Sequence, residues 1–141
     1  MTGKKRVLFL CTHNSCRSQM AEGIVNHILG DRFTAFSAGT EKTAVHPLAV
    51  RVLAEIGIDI SHHRSKELEI FAGQPFDHVI TLCGSANERC PLFFGGVARV
   101  HLGFDDPSRC VGTEAEIIQA FRRVRDAMQE QLTTYLRENQ S

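Results

Sequence analysis

Two cysteines, Cys11 and Cys16, and one arginine, Arg17, fall within seven residues of the stretch CTHNSCRS (11–18), directly after the apolar run VLFL. A thiol followed at a fixed spacing by a permanent cation suits nucleophilic attack on an anion. A loop leading from a strand into a helix turns successive backbone N–H groups into one concavity, and the helix dipole adds positive potential there. Such a nest binds tetrahedral oxyanions. Here it comprises Thr12, His13, Asn14, Ser15, Cys16, Arg17 and Ser18. Arg17 adds a planar fork that grips two oxygens at once. Asn14 is a residue type that tolerates the left-handed backbone such a loop needs. The same donors stabilise a thiolate on Cys11, and Ser18 can give its hydroxyl proton to that sulfur. The stretch supplies a nucleophile and a cradle for what it attacks, which predicts covalent catalysis on a tetrahedral oxyanion.

That chemistry needs elements to hold it. RVLFL (6–10) is a short continuous apolar run, suited to a strand buried on both faces. SQMAEGIVNHILG (18–30) reads as a helix with Met20, Ile24, Ile28 and Leu29 on one stripe, Ser18 as its cap and Gly30 as its stop. FTAFSAG (33–39) is a second strand, and HPLAVRVLAEIG (46–57) a second helix with Pro47 in its first turn and Gly57 at its end. FDHVITLC (76–83) and ARVHLGF (98–104) give two further strands. From Thr113 to Arg137 a long amphipathic helix carries the stripe Ile117, Phe121, Val124, Met128, Leu132 and Tyr135. Alternating strands and helices predict an α/β fold, a parallel sheet with right-handed crossovers covered on both faces. Without a repeat, linker or low-complexity stretch, residues 1–141 read as a single domain. Ligands of such sheets bind beyond the carboxyl ends of the strands. Cys11 follows the first strand, Cys83 closes the third, and Asp105 and Asp106 follow the fourth, so the reactive residues gather on one rim.

Composition narrows the alternatives. Sixteen basic and sixteen acidic residues give zero net charge, which argues against a nucleic-acid or membrane-surface role. No apolar run approaches the roughly 18 residues of a membrane span. The opening MTGKKRVLFL is too short in its apolar part for a secretory signal, and no small-residue cleavage site follows. Five cysteines, Cys11, Cys16, Cys83, Cys90 and Cys110, are an odd number and predict reduced thiols in a cytoplasmic protein. Of the seven histidines, His62 and His63 are adjacent and cannot easily share one metal, and no Cys-x2-Cys or His-x3-His spacing occurs, so no metal site is expected.

VLFLCTHNSCRSQMAEG closely resembles the signature of arsenate reductases built on the low-molecular-weight tyrosine phosphatase fold. The likeness continues through SAGT, IGIDISHHRSK, VITLCGSANERCP and GFDDP, over nearly the whole chain. It implies a four-stranded parallel sheet in the order 2-1-3-4, flanked by helices on both faces. Both branches of that superfamily share the loop, the arginine and an aspartate before proline. Asp106 is the expected general acid, with Asp105 the alternative one residue earlier. The cysteines separate the branches. A phosphatase needs one thiol, because water resolves its phospho-cysteine, whereas reducing arsenate to arsenite takes two electrons. The resemblance implies a relay in which Cys83 attacks Cys11 in its arsenic adduct, Cys90 moves the bridge to Cys83–Cys90, and thioredoxin reduces it. The Cys-x6-Cys spacing matches the thioredoxin-linked subgroup. The alternative is a low-molecular-weight protein tyrosine phosphatase acting through a phospho-cysteine at Cys11. Against it, DPSR stands where such phosphatases usually carry tyrosines, and the only tyrosine is Tyr135. A module that senses oxyanions without turnover would have no use for Cys83 and Cys90. The expected partners are arsenate, with phosphate or sulfate as competitors, and thioredoxin. No cofactor is expected, and the protein is expected to be monomeric.

Four positions stand apart. Some reductases of this family hold potassium beside the loop through residues resembling Asn14, Glu22, Ser37 and an aspartate whose place here is taken by Lys66, so its ammonium is expected to replace the ion. Cys16 matches a family cysteine outside the relay and is expected to be structural. Cys110 is expected to be a bystander, and His13 stands where both branches often have glycine. Between the relay thiols, GSANER (84–89) in a helix would set the Cα atoms of Cys83 and Cys90 about 10 Å apart. A disulfide needs them within about 6.8 Å, so this segment is expected to rearrange on oxidation.

Overall fold

The computed structural model describes residues 4–41, 43–83 and 96–139. In chain order the elements are β1 (Lys5–Cys11), α1 (Arg17–Ile28), β2 (Phe33–Gly39), α2 (Pro47–Ala54), a short 3-10 helix (Leu68–Phe71), β3 (Phe76–Thr81), β4 (Gly96–His101), a 3-10 turn (Pro107–Arg109) and α3 (Glu114–Glu138). The strands form one sheet in the order β2-β1-β3-β4, and every pair is parallel. The expected α/β architecture and strand order are those observed.

β1 has a neighbour on each edge, and Val7, Leu8, Phe9 and Leu10 are fully buried, as its unbroken apolar run requires. Val7, Phe9, Ala35 and Ile80 share one core with Met20 and Ile24 of α1, Val52 and Leu53 of α2, and Phe121, Met128 and Leu132 of α3. Their sequence neighbours Leu8, Leu10 and Val79 belong to a second cluster with Phe71 of the 3-10 helix and Phe76. There the rings of Phe36, Phe71 and Phe76 meet edge to face. Among the described residues, all three α-helices contribute to the first cluster and the 3-10 helix Leu68–Phe71 contributes to the second.

Element ends differ from expectation in ways that matter for chemistry. β1 runs on to Cys11, whereas β3 stops at Thr81, so Cys83 lies two residues beyond it. Leu82 N–H still donates to Leu10 O (2.9 Å), which keeps the two chain ends in register. β4 ends at His101, not at Phe104, whose N–H is turned back onto Leu82 O (3.1 Å). α1 begins at Arg17, and Cys16 at its N-cap makes no side-chain capping bond. The expected cap, Ser18, sits inside the first turn because its hydroxyl is committed to Cys11 and Asn14. α2 stops at Ala54, three residues before Gly57 takes a left-handed φ of +82°. Thr113 and Glu116 form a capping box that starts α3.

The buried stripe of α3 runs through Ile118, Phe121, Arg125, Met128, Leu132 and Leu136, while Ile117, Val124 and Tyr135 flank it half-buried. The expected stripe did not include Arg125, Ile118 or Leu136. Arg125 donates to Val52 O (2.9 Å) and pairs with Glu55 (2.8 Å), so its guanidinium ties α3 to the last turn of α2. Hydrogen bonds from Arg122 and Arg125 hold the Glu55 carboxyl well below the usual range, at about 2.

Gly23 on α1 faces Ile60, and a Cβ there would stand 2.5 Å from Ile60 Cγ2 and 3.1 Å from Leu53 Cδ1. Alanine ordinarily improves on glycine inside a helix by about 1 kcal/mol. The overpacking here costs about 1–3 kcal/mol, because a branched side chain held at Cβ cannot swing aside. Gly23→Ala is therefore expected to lower the melting temperature by about 2–5 °C in a calorimetric scan, and a rise would show that the α1–Ile60 contact yields freely.

Candidate active site

The turn from β1 into α1 forms the floor of the site. Cys11, the last residue of β1, is buried, with Sγ 2.9 Å from Ser18 Oγ. Ser18 Oγ also accepts a hydrogen bond from Asn14 Nδ2 (2.7 Å), which leaves its own proton for the Cys11 sulfur. Asn14 has a left-handed φ of +49° and is fully buried. Its Oδ1 accepts from Gln19 Nε2 (2.8 Å) and from the Lys66 backbone N–H (2.7 Å). Gln19 reaches on to Arg64 O (2.8 Å), and its Oε1 lies 2.9 Å from His63 Nδ1. The stretch 64–67 braces the loop from outside. Lys66 O accepts from Gly39 N–H (3.0 Å), and Ser65 Oγ donates to His13 O (3.2 Å).

Arg17 is 2% exposed, the largest of the fully buried side chains. It donates to Phe104 O (3.1 Å) and Leu82 O (3.4 Å) and lies 3.6 Å from Asp106 Oδ2. One guanidinium thereby joins the loop to the ends of β3 and β4. Asp106 caps the 3-10 turn, its Oδ1 accepting from Ser108 N–H (3.0 Å) and Ser108 Oγ (2.6 Å). Of the two candidate aspartates, Asp106 reaches the loop and Asp105 is exposed. Cys16 Sγ lies 3.5 Å from Asp106 Oδ1. Burial pushes the Cys16 thiol far up, with the charges of Asp106 and Cys11 acting the same way and Arg17 opposing them. His46 donates its N–H to Ser15 O (3.0 Å) and stacks on Phe121. Its own burial draws its imidazole below the ordinary range, opposed by Asp106.

The other cysteines separate. Cys83 is buried on the same rim as Cys11, one residue past the Leu82–Leu10 hydrogen bond. Cys110 is half-buried with its thiol against Val111 O (3.8 Å). Cys90 and the expected switch at 84–89 lie outside the described residues. His13 is exposed, and its ring turns to Glu41 (3.3 Å) at the rim.

Lys66 Nζ lies 3.1 Å from Arg64 O and 3.5 Å from both Glu22 Oε1 and Ser37 Oγ, while Ser37 donates to Glu22 (2.5 Å). His63 Nε2 stands 3.7 Å from Glu22 Oε2, and burial draws this imidazole down against the pull of Glu22, with His62 and Lys66 adding to the fall. As expected for Lys66, its ammonium lies beside Glu22 and supplies positive charge there. Gln19, His63 and Ser65 as loop braces were not legible in the sequence. Their contacts to the loop span up to 52 positions and leave no periodic signal.

The geometry offers a thiol, the turn into a helix, a buried cation and a carboxyl side by side. The sequence profile of the family described as low molecular weight phosphotyrosine protein phosphatase matches residues 6–141. The chain is 48% identical over 132 residues to the arsenate reductase of Halalkalibacterium halodurans, covering 94% of this chain and 95% of that one. A solved arsenate reductase in the phosphate binding state superposes with a TM-score of 0.79 at 32% identity, covering 95% and 98% of the two chains. The thioredoxin-dependent arsenate reductase of Corynebacterium glutamicum superposes with a TM-score of 0.63 at 28% identity, covering 94% of this chain and 62% of that one.

Gly39 packs directly under the loop: a Cβ there would lie 2.7 Å from Thr12 O and 2.8 Å from both Asn14 N and Cys11 O. These are backbone atoms and cannot rotate away. Gly39→Ala is expected to weaken inorganic phosphate binding at least about ten-fold in a calorimetric titration, since small displacements of binding groups are costly. Affinity within two-fold of the parent would show that the loop is not held from below. With Lys66 filling the cation position, potassium is expected to change neither the melting temperature nor phosphate affinity beyond a matched sodium control. A potassium-specific stabilisation would refute that assignment.

Proposed function

The chain belongs to the low molecular weight phosphotyrosine protein phosphatase family, and within it we propose that this protein reduces arsenate to arsenite through Cys11, Cys83 and Cys90, with thioredoxin as reductant. One observation carries the reading: two buried thiols, Cys11 and Cys83, sit on the same rim at the ends of neighbouring strands. Neighbouring strands run about 4.8 Å apart, so a bridge between their ends demands little backbone movement.

Arsenate binds in the cradle of residues 12–18 as the doubly protonated monoanion, displacing Asp106 from Arg17 and passing one of its two protons to that carboxyl, while the other stays on the oxygen that departs. The Cys11 thiolate, steadied by Ser18, attacks arsenic. The S–As bond forms as an As–O bond breaks, and the departing oxygen takes the Asp106 proton and leaves as water. Cys83 then attacks the Cys11 sulfur. The new S–S bond replaces the S–As bond, whose electron pair goes to arsenic, so arsenic(V) becomes arsenic(III) while two thiols become a disulfide. Cys90 displaces Cys11, and thioredoxin returns the two electrons by thiol–disulfide exchange. The likeness to a thioredoxin-dependent relative supports the last step.

A tyrosine phosphatase would use the same loop but gains nothing from Cys83. The one tyrosine, Tyr135, packs against His78, which pairs with Val7 four residues before Cys11. That is the opposite end of β1, about 13 Å away at the rise of a strand.

Cys11→Ser is expected to abolish arsenate-dependent NADPH oxidation coupled through thioredoxin and thioredoxin reductase, with turnover below about 1% of the parent. Cys83→Ser and Cys90→Ser are each expected to stop multiple turnover while leaving hydrolysis of a small aryl phosphate within two-fold of the parent. If neither change affects arsenate turnover, the phosphatase reading replaces this one.

A further inference from the structure

We propose that Cys16 is the positioning residue of the proton donor: its thiol donates to Asp106 Oδ1 and holds the carboxyl with Oδ2 turned to Arg17 and the anion cradle. This rests on the reading of Asp106 as the general acid and assigns a task to the loop thiol that the relay leaves unused.

The two carboxyl oxygens have different surroundings. Oδ1 meets three donors, Ser108 N–H at 3.0 Å, Ser108 Oγ at 2.6 Å and Cys16 Sγ at 3.5 Å. Oδ2 meets Arg17 at 3.6 Å. The last figure for Oδ1 is within the longer reach of sulfur. An oxygen already taken by donors is a poor place for a proton, so the transferable proton belongs on Oδ2, the oxygen beside the cradle. Both Ser108 donors come from the turn that Asp106 itself caps, so they fix the carboxyl relative to its own turn only. Cys16 belongs to the loop, 90 positions away, and is the donor that registers Oδ1 against the anion-binding backbone.

The position leaves the thiol little else to do. Cys16 occupies the N-cap of α1 but makes no capping bond, and it is 4% exposed, so it cannot exchange with solvent partners. Burial beside Asp106 keeps the sulfur protonated, which a donor must be. Without the Cys16 thiol the carboxyl stays capped by Ser108, but its turn is free to shift against the loop and carry Oδ2 away from the leaving group. The chemistry is then slowed with no loss of anion binding, which rests on the backbone N–H groups and Arg17.

The test is a double-mutant cycle read in a single turnover, with no thioredoxin present. Fully reduced protein is mixed with saturating arsenate, and arsenite release is timed for the parent, Cys16→Ala, Cys16→Val, Asp106→Asn and the Cys16→Ala/Asp106→Asn pair. Alanine and valine both lack the donor and differ in bulk, so a folding failure of one, judged by melting temperature, leaves the other. Asp106→Asn is expected to slow release by about 100-fold. Each Cys16 variant is expected to slow it by about ten-fold, with half-saturating arsenate within about two-fold of the parent. In the Asp106→Asn background the Cys16 change should cost less than about two-fold, because the group it positions is gone. A Cys16 effect of equal size in both backgrounds, no effect at all, or a loss confined to half-saturation overturns the inference while leaving Asp106 in its role. If Asp106→Asn releases arsenite at the parent rate, the reading of Asp106 as the acid fails and this inference fails with it.

Discussion

Everything at the reactive rim depends on holding Asn14 in a left-handed backbone conformation without water. A left-handed α conformation is unfavourable for an L-residue by roughly 1–2 kcal/mol, less for asparagine than for most, and burial of an unsatisfied amide would add more. Every polar edge of this side chain is therefore engaged, with Ser18, Gln19 and the Lys66 backbone as partners. At roughly 1 kcal/mol net for each hydrogen bond, the three offset the backbone cost. The same bonds do chemical service. By donating to Ser18, Asn14 occupies a lone pair of the serine oxygen and leaves the hydroxyl proton available to the Cys11 sulfur 2.9 Å away. The bonds that hold the loop conformation and those that reach the Cys11 sulfur form one network.

The buried charges obey a similar economy. A guanidinium as deeply buried as that of Arg17 needs partners inside the protein: its Nη1 donates to the carbonyls of Leu82 and Phe104, and its Nη2 faces the Asp106 carboxylate. These carbonyls lie just beyond β3 and β4, so the cation that faces the anion also sets the spacing of the two strand ends that carry Cys83 and Asp106. Glu22 is the mirror case. Ser37, Lys66 and His63 surround it on one side of the loop, and the cluster is self-contained without an added ion. Lys66 contributes twice, its N–H to Asn14 and its ammonium to Glu22, so a single residue stiffens the loop and balances the charge behind it.

Much of this was legible in the sequence because it rests on local rules. The unbroken apolar run at 6–10 announces a central strand, and the parallel alternation puts Cys11, Cys83 and Asp106 at one end of the sheet whatever their side chains do. The capping box at Thr113 and the proline at 47 mark helix starts for reasons that act within one turn. Three readings missed because a distant partner outweighed the local rule. Ser18 has the chemistry of a helix cap, but Cys11 and Asn14 claim its hydroxyl. Arg125 lies on the buried face of α3 because Val52 O and Glu55 receive its guanidinium there. β4 ends at His101 because Leu82 captures the Phe104 N–H.

The sequence by itself determined the fold class and, through its resemblance, the strand order, and it pointed to Cys11, the loop 12–18 and Arg17, since these are contiguous residues between a strand and a helix. The sequence favoured Asp106 over Asp105, and the tertiary structure showed that Asp106 is the one that reaches the loop, because adjacent residues on an extended backbone point in opposite directions and the turn at Pro107 selects one. The tertiary structure alone also showed that the Lys66 ammonium reaches both Glu22 and Ser37 and that the Cys16 thiol meets Asp106. Those contacts join residues 29 to 90 positions apart, and no local propensity reaches so far.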